Sequence, residues 1–301
     1  MDIYHLLEGV MVFLFGATLG SFLNVVIHRL PRDESIVKPR SKCPACDHAI
    51  RWYDNIPILS FFVLGRKCRD CKASISWRYP LVEALTAGLA LALWLKFDLS
   101  KELAVHFAFT AALIAITFID IDHRIIPNEI SLPGILIGFA CSFLWGDFWI
   151  SSLIGLLVGG GGLLLLSLLY SLIRGREGMG MGDVKLLAML GAWLGWQCLL
   201  FILLFASIQG VLTALFLWLS GVKLKPPLPE EWEEDEQEAE PEPEPEPAPG
   251  ASQPSSQSEG ESEPSFLLAA IPFGPFLAIS AVEYLFLAEW FYGLMRGAIS
   301  F

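Results

Sequence analysis

Charge is scarce in this chain. Asp, Glu, Lys and Arg make up 17% of its 301 residues, against 54% apolar. A soluble domain of this size needs more charge than that to cover its surface, which excludes a soluble globular enzyme. The first apolar run lacks a basic flank: Asp2 and Glu8 stand where Lys or Arg would be, and no small-residue cleavage site follows. It is therefore read as a membrane span and not as a cleavable signal peptide. The glycines at 159–162 lack a following Lys-Ser/Thr pair and sit inside an apolar run, which excludes a phosphate loop. Basic residues are missing altogether from 230–263, where fourteen acids lie. Without that segment, 18 acids face 20 bases, so the net charge of −12 belongs to one stretch and does not describe an acidic active surface.

Long apolar runs, by contrast, are plentiful. Runs near 8–27, 80–97, 102–119, 131–147, 150–173, 184–195, 198–220 and 266–293 approach or reach the ~20 residues that cross a bilayer as a helix. The expected fold is an all-α polytopic membrane protein of about eight transmembrane helices. Eleven of the twenty Lys and Arg residues fall between His28 and Tyr79. The positive-inside bias then puts that connection in the cytoplasm and both termini outside. The expected organisation is a first span (1–27), a cytoplasmic loop module (28–79), a transmembrane core (80–225), an acidic insertion (226–265) and a last span (266–301). The insertion carries a Pro-Glu repeat and then a Ser/Gln-rich run with almost no apolar residues, so it is expected to be a disordered spacer. Glycines four apart, such as Gly16 with Gly20 and Gly134 with Gly138, suit close helix packing.

Four of the six cysteines lie in the loop module, as Cys43-Pro-Ala-Cys46 and Cys68-Arg-Asp-Cys71. Two C-x2-C knuckles at this spacing supply four thiolates for a tetrahedral zinc, which staples a loop too small for a large core. Cytoplasmic placement agrees, because disulfides do not usually persist there. His48 is an available substitute ligand, and redox cysteines are the competing reading. Cys141 and Cys198, inside spans, read as core residues.

Ionisable residues at the edge of apolar spans are costly and mark function. Asp120 ends the third run, in Thr117-Phe-Ile-Asp120-Ile-Asp122-His-Arg-Ile-Ile-Pro127-Asn128. Asp183 follows a glycine run, Gly178-Met-Gly180-Met-Gly182-Asp183. The orientation above brings both to the same face and depth. Two carboxyls sharing a low-dielectric site hold one proton between them. One can then activate water while the other, protonated, polarises a scissile carbonyl, with no Ser nucleophile and no metal. On position alone Asp122 competes with Asp120, and Asp183 suits a helix N-cap equally well.

At this point the chain resembles the type IV prepilin peptidases, over nearly its whole length. Gly20-Ser-Phe-Leu-Asn24 through Arg29-Leu-Pro31 is similar to the family's first-span signature, the paired C-x2-C loop to its cytoplasmic module, and Trp77-Arg-Tyr-Pro80-Leu-Val-Glu83 to the opening of its second span. Asp120 stands seven positions before Pro127-Asn128, as in the family's first catalytic motif, which favours it over Asp122. Gly180-Met-Gly182-Asp183 resembles the second motif, and Ile271-Pro-Phe-Gly274-Pro275-Phe the start of the last span.

The resemblance implies catalytic Asp120 and Asp183. It implies cleavage of the basic leader of type IV prepilins and type II secretion pseudopilins at the cytoplasmic face of the bacterial inner membrane. N-methylation of the new N-terminus by S-adenosylmethionine would follow, with Gly65, Arg66 and Lys67 matching a position linked to methyl transfer. Asp33, Glu34 and Asp54 are candidates to pair with leader lysines, or are ordinary loop acids. The implied partners are these substrates and membrane lipid, with no nucleic acid. The acidic insertion departs from the family pattern. Two other classes compete. A transporter with an intramembrane carboxylate ion site would show internal repeats, and none is clear. A membrane thiol oxidoreductase would carry its cysteines on the outer side.

Overall fold

The computed structural model describes residues 3–174, 180–221 and 272–299. Its helices are α1 (Ile3–Arg29), α2 (Leu59–Val63), α3 (Arg78–Phe97), α4 (Lys101–His123), α5 (Asn128–Ser142), α6 (Phe148–Leu156), α7 (Gly162–Arg174), α8 (Met181–Leu194), α9 (Cys198–Leu219) and α10 (Gly274–Ile299). A π-helical turn, Leu157–Gly161, joins α6 to α7. Among the described residues the only strand-like pairings are two isolated bridges, Lys42 with Ala49 and Lys67 with Ser74. Residues 1–209 and 272–301 form one compact unit. The second unit, 210–271, is described only over the end of α9 and the turn after it. The acidic insertion, and Gly178 and Met179 of the glycine run, lie outside the described residues.

Seven of the described helical segments are long and apolar enough to cross a membrane: Ile3–Arg32, Arg78–Phe97, Lys101–His123, Asn128–Trp145, Phe148–Arg174, Cys198–Leu219 and Gly274–Gly293. The chain is an all-α polytopic membrane protein. The sixth expected span differs. It becomes α8, a 14-residue helix, about 21 Å long at 1.5 Å per residue against an apolar bilayer core of ~30 Å. α8 is wrapped by protein, with Val184, Leu186 to Gly191, Ala192 and Leu194 all buried. A helix sheathed by other helices is free of the length that lipid contact imposes.

Small residues permit that wrapping. Met189 of α8 packs on Gly134 of α5, and the Trp193 indole N–H donates to the Gly134 carbonyl at 2.7 Å. On the other side Gly155 of α6 meets Gly191 backbone to backbone, while Gly159 and Gly160 meet Leu187 and Ala188. α8 therefore runs parallel to α5 and antiparallel to α6. One end lies at Ile126, which packs on Gly182. The other lies at Ser151, whose carbonyl accepts the Trp196 N–H at 3.1 Å.

α1 and α3 pair antiparallel by the same means. A Cβ at Gly16 would stand 2.8 Å from the Ala87 Cα, and one at Gly20 would stand 2.7 Å from the Glu83 Cα. Close backbone approach of this kind holds membrane helices together where the hydrophobic effect between them is weak. Against this pair α4 buries Ala111, Ile114, Ala115 and Ile119. Its other face, with Phe109, Leu113 and Ile116, joins Leu186, Leu190, Phe201 and Leu277 in the main core.

Candidate active site and metal cluster

α4 ends because Arg124 adopts a left-handed φ of 54° and its N–H closes on the Asp120 carbonyl at 2.9 Å. Pro127, extended and without a backbone N–H, then caps α5, so the chain reverses within a few residues. Asn128, at the first turn of α5, accepts a hydrogen bond from the Lys185 ammonium at 2.7 Å. Lys185 is two residues past Asp183. The fixed spacing from Asp120 to Pro127-Asn128 thus has a mechanical reading: it returns the chain to pin the first turn of α8 beside the end of α4.

Asp120 is buried, at 5% exposure, while Asp183 in the first turn of α8 is half-buried. Ile126 is the wedge between their supports. A Cβ on Gly182 would stand 3.2 Å from the Ile126 Cβ, and a Cβ on Gly274 would stand 3.2 Å from its Cδ1. Gly274 opens α10, and one oxygen of Asp120 lies directly against it, where a Cβ would overlap the carboxylate. The Gly274 backbone N–H faces the same carboxylate. Asp120 and Asp183 are thereby close enough for the charge of one to act on the other. Asp122 points elsewhere, pairing with Arg78 of α3, which also donates to the Phe118 carbonyl at 3.2 Å. No local pattern points to the parts played by Ile126 and Lys185, and Gly274 stands in the sequence only as part of a span-opening motif.

The four loop cysteines come together, with their sulfurs all within 4.8 Å of one another. Cys43 Sγ and Cys71 Sγ are 3.8 Å apart. Four thiolates at ~2.3 Å around a tetrahedral zinc have sulfurs about 3.8 Å apart, so the cluster fits that ion. Both knuckles are built alike. The Cys43 N–H donates to the His48 carbonyl at 3.0 Å and the Asp47 N–H to the Cys43 carbonyl at 2.8 Å. Twenty-five positions on, the Cys68 N–H donates to the Ala73 carbonyl at 2.8 Å and the Lys72 N–H to the Cys68 carbonyl at 3.1 Å. Asp47 and Lys72 share a left-handed φ, 54° and 61°.

The Cys71 and Asp70 backbone N–H groups bring the Cys68 thiol down to about 7. At Cys46 the His48 backbone N–H pulls the same way, but burial and the Cys71 and Cys43 sulfurs outweigh it and push the thiol up to about 12. Without a cation the four sulfurs cannot all ionise, which is the electrostatic demand a divalent ion meets. His48 lies beside Asp70, 3.9 Å from its carboxylate.

A cavity of about 900 Å³ opens between this module and the adjoining ends of α1 and α3. Leu64 and Cys68 line it, but Gly65, Arg66 and Lys67 do not. These three instead form the turn into the second knuckle. Gly65 and Arg66 both have positive φ, the Arg66 carbonyl accepts the Ile75 N–H at 2.7 Å, and the Arg66 guanidinium covers the Trp77 ring at 5.0 Å. Asp54 is tied up by two nitrogens of Arg69, Nε and Nη2, at 2.8 and 2.6 Å.

The fold and these features define a multi-pass helical membrane protein with a carboxylate pair at one end of its bundle and a four-cysteine loop module. The bacterial peptidase A24 N-terminal domain matches residues 14–97, and the type IV leader peptidase family matches residues 107–215. The chain belongs to the type IV leader peptidase family. It is 38% identical over 306 residues to the prepilin leader peptidase/N-methyltransferase of Myxococcus xanthus, covering 94% of this chain and 91% of that one. The proteins of the same name from Aeromonas hydrophila and Pseudomonas aeruginosa are 42% and 38% identical, covering 66% and 72% of this chain and 78% and 83% of theirs. No solved structure matches the chain. The family assignment gives no support to the transporter reading.

Proposed function

We propose that this chain cleaves the basic leader of type IV prepilins and type II secretion pseudopilins at the cytoplasmic face of the bacterial inner membrane, using Asp120 and Asp183, and then N-methylates the new N-terminus. The observation that carries the reading is that two carboxylates from different helices stand close enough for the charge of one to act on the other, with Gly182 and Gly274 packed on Ile126 beside them. Water loses a proton to the ionised carboxylate as it attacks the scissile carbonyl, whose oxygen takes a hydrogen bond from the protonated one. The tetrahedral intermediate collapses with a proton passing to the leaving amine. A prepilin helix lying among the spans with its basic leader in the cytoplasm would present the scissile bond at this depth.

The division into a first span to 27, a loop module at 28–79, a core at 80–225, an insertion at 226–265 and a last span from 266 belongs to the same proposal. In the loop module, Cys43, Cys46, Cys68 and Cys71 would hold a structural zinc, and S-adenosylmethionine would supply the methyl group. The turn at Gly65, Arg66 and Lys67 would serve methyl transfer by shaping the second knuckle.

The test is processing of a purified prepilin in lipid by wild type, Asp120→Asn, Asp122→Asn and Asp183→Asn, read by mass spectrometry with S-adenosylmethionine present. Cleavage lost in the first and third variants and kept in the second, with a +14 Da product in wild type, is the expected result. Cleavage surviving in either Asp120→Asn or Asp183→Asn refutes the two-aspartate mechanism. Zinc content is expected at about one per chain and should be lost in Cys43→Ser.

A further inference from the structure

The 900 Å³ cavity lies within the size range of small-molecule sites and mixes polar with apolar walls. Most of the charges around it are already matched. Asp54 is held by Arg69 and Asp47 by Lys42 at 2.6 Å, while Glu34 and Lys38 are exposed to water. Two buried charges on the wall have no ion pair among the described residues: Arg29, whose guanidinium donates to the Ser35 carbonyl at 2.9 Å, and Glu83. Glu83 is buried at 8% exposure, and one of its oxygens accepts the Ile58 N–H at 2.7 Å. Among the described residues no Lys, Arg or His forms an ion pair with it. A buried carboxylate with no cation is costly unless it takes up a proton or meets a ligand's positive charge.

We propose that this cavity binds S-adenosylmethionine, with the Glu83 carboxylate opposite the sulfonium end. The proposal rests on the methyl-transfer reading above and gives it a location. The ligand carries two positive groups and one negative, and so matches an unpaired acid. Phe61 and Tyr79 in the wall offer flat surfaces for its adenine. The site lies close to the aspartate pair: Arg78, next to Tyr79, is paired with Asp122, two residues from Asp120. A newly cut amine, having released a proton to water, attacks the methyl carbon. The carbon–sulfur bond breaks with its electrons going to sulfur, leaving a neutral thioether and a methylated ammonium, which then sheds its proton.

Charge separates this site from a merely structural Glu83. S-adenosylhomocysteine lacks only the methyl group and, with it, the sulfonium charge. Calorimetry on the full chain in lipid nanodiscs should show Glu83→Gln, which can still accept the Ile58 N–H, weakening S-adenosylmethionine at least tenfold and S-adenosylhomocysteine less than threefold. Val25→Trp, which fills the cavity from α1, should weaken both more than tenfold. Ultraviolet crosslinking of methyl-tritiated S-adenosylmethionine to wild type should label peptides within 21–29, 34–64 or 68–83, the segments that line the cavity, and this arm decides the matter if Glu83→Gln does not fold. Unchanged affinity in Glu83→Gln, equal loss of both ligands in it, or label confined to other segments overturns the proposal. Wild type that cleaves prepilin but binds neither ligand overturns the methyl-transfer reading itself.

Discussion

Gly274→Ala tests whether the aspartate pair is held by backbone contact. The added Cβ would fall on an oxygen of Asp120 and stand 3.2 Å from the Ile126 Cδ1. Ile126 can give by a few tenths of an ångström, but the carboxylate has to move by about an ångström. Misplacement on that scale costs on the order of 10²-fold in rate. Stability should respond far less. Overpacking costs about 1–3 kcal/mol, and replacing Gly by Ala in a helix returns up to ~1 kcal/mol. The expected signature is kcat/KM for prepilin cleavage down about 100-fold, with a melting temperature only a few degrees lower. Gly182→Ala, whose new Cβ meets only the side chain of Ile126 at 3.2–3.4 Å, should lose less than tenfold. Cleavage kinetics and thermal melts of both variants in the same lipid decide it. If Gly274→Ala retains activity within threefold of wild type, or Gly182→Ala is the more damaged, backbone contact at Gly274 does not hold the site.

Three further outcomes are expected. Lys185→Met should remove the hydrogen bond to Asn128 and cost about tenfold in cleavage, the rough equivalent of one charge-assisted hydrogen bond; Asn128→Ala should match it, and the double variant should be no worse than either single one. Gly191→Ala should destabilise by about 3 kcal/mol or more in denaturant titration, because its Cβ meets the Gly155 backbone and no flexible side chain. Gly162→Ala, facing open space, should be neutral or gain up to ~1 kcal/mol. Arg69 hydrogen-bonds Asp54 and holds its carboxyl below the ordinary 3.8, so this pair's stability is fully present above that value and fades as pH falls through the lower folded one. Hydrogen exchange in the loop module should therefore show wild type better protected than Arg69→Ala by a constant margin from pH 8 to 5, closing below pH 4. Acid release of any bound metal is common to both proteins, and a margin that widened in acid would refute the assignment.

How much of this was legible in the chain depends on the range of the interaction concerned. The cysteine knuckles and the Asp120 to Pro127-Asn128 spacing are local patterns, and the structure gives each a local geometry. The preference for Asp120 over Asp122 came from the family resemblance. The structure adds a physical difference, since Asp122 is paired with Arg78 and Asp120 faces α8 and α10. The reading of 184–195 as a span missed that α8 is sheathed by other helices, because hydropathy records how apolar a segment is and not whether lipid or protein surrounds it. Ile126 as a wedge was invisible: its partners, Gly182 and Gly274, lie 56 and 148 positions away. The unpaired state of Glu83 is likewise a property of the assembled cavity. The duplication of the knuckle, by contrast, stands in the chain as Lys42-Cys43 and Lys67-Cys68 with matching tails.

The glycine seam between α1 and α3 makes the loop module a lever with a fixed fulcrum. Gly16 and Gly20 lock the rotation of α1 against Ala87 and Glu83, and the module leaves α1 only a few residues beyond. Deleting one residue between Gly20 and Pro31 would leave Gly16 and Gly20 in contact with α3, yet swing everything past the deletion by about 100° around the helix axis and draw it in by about 1.5 Å. Chain length between fulcrum and module is therefore a coordinate of the site in its own right, and a variant with all its functional side chains intact would fail by mis-aiming them.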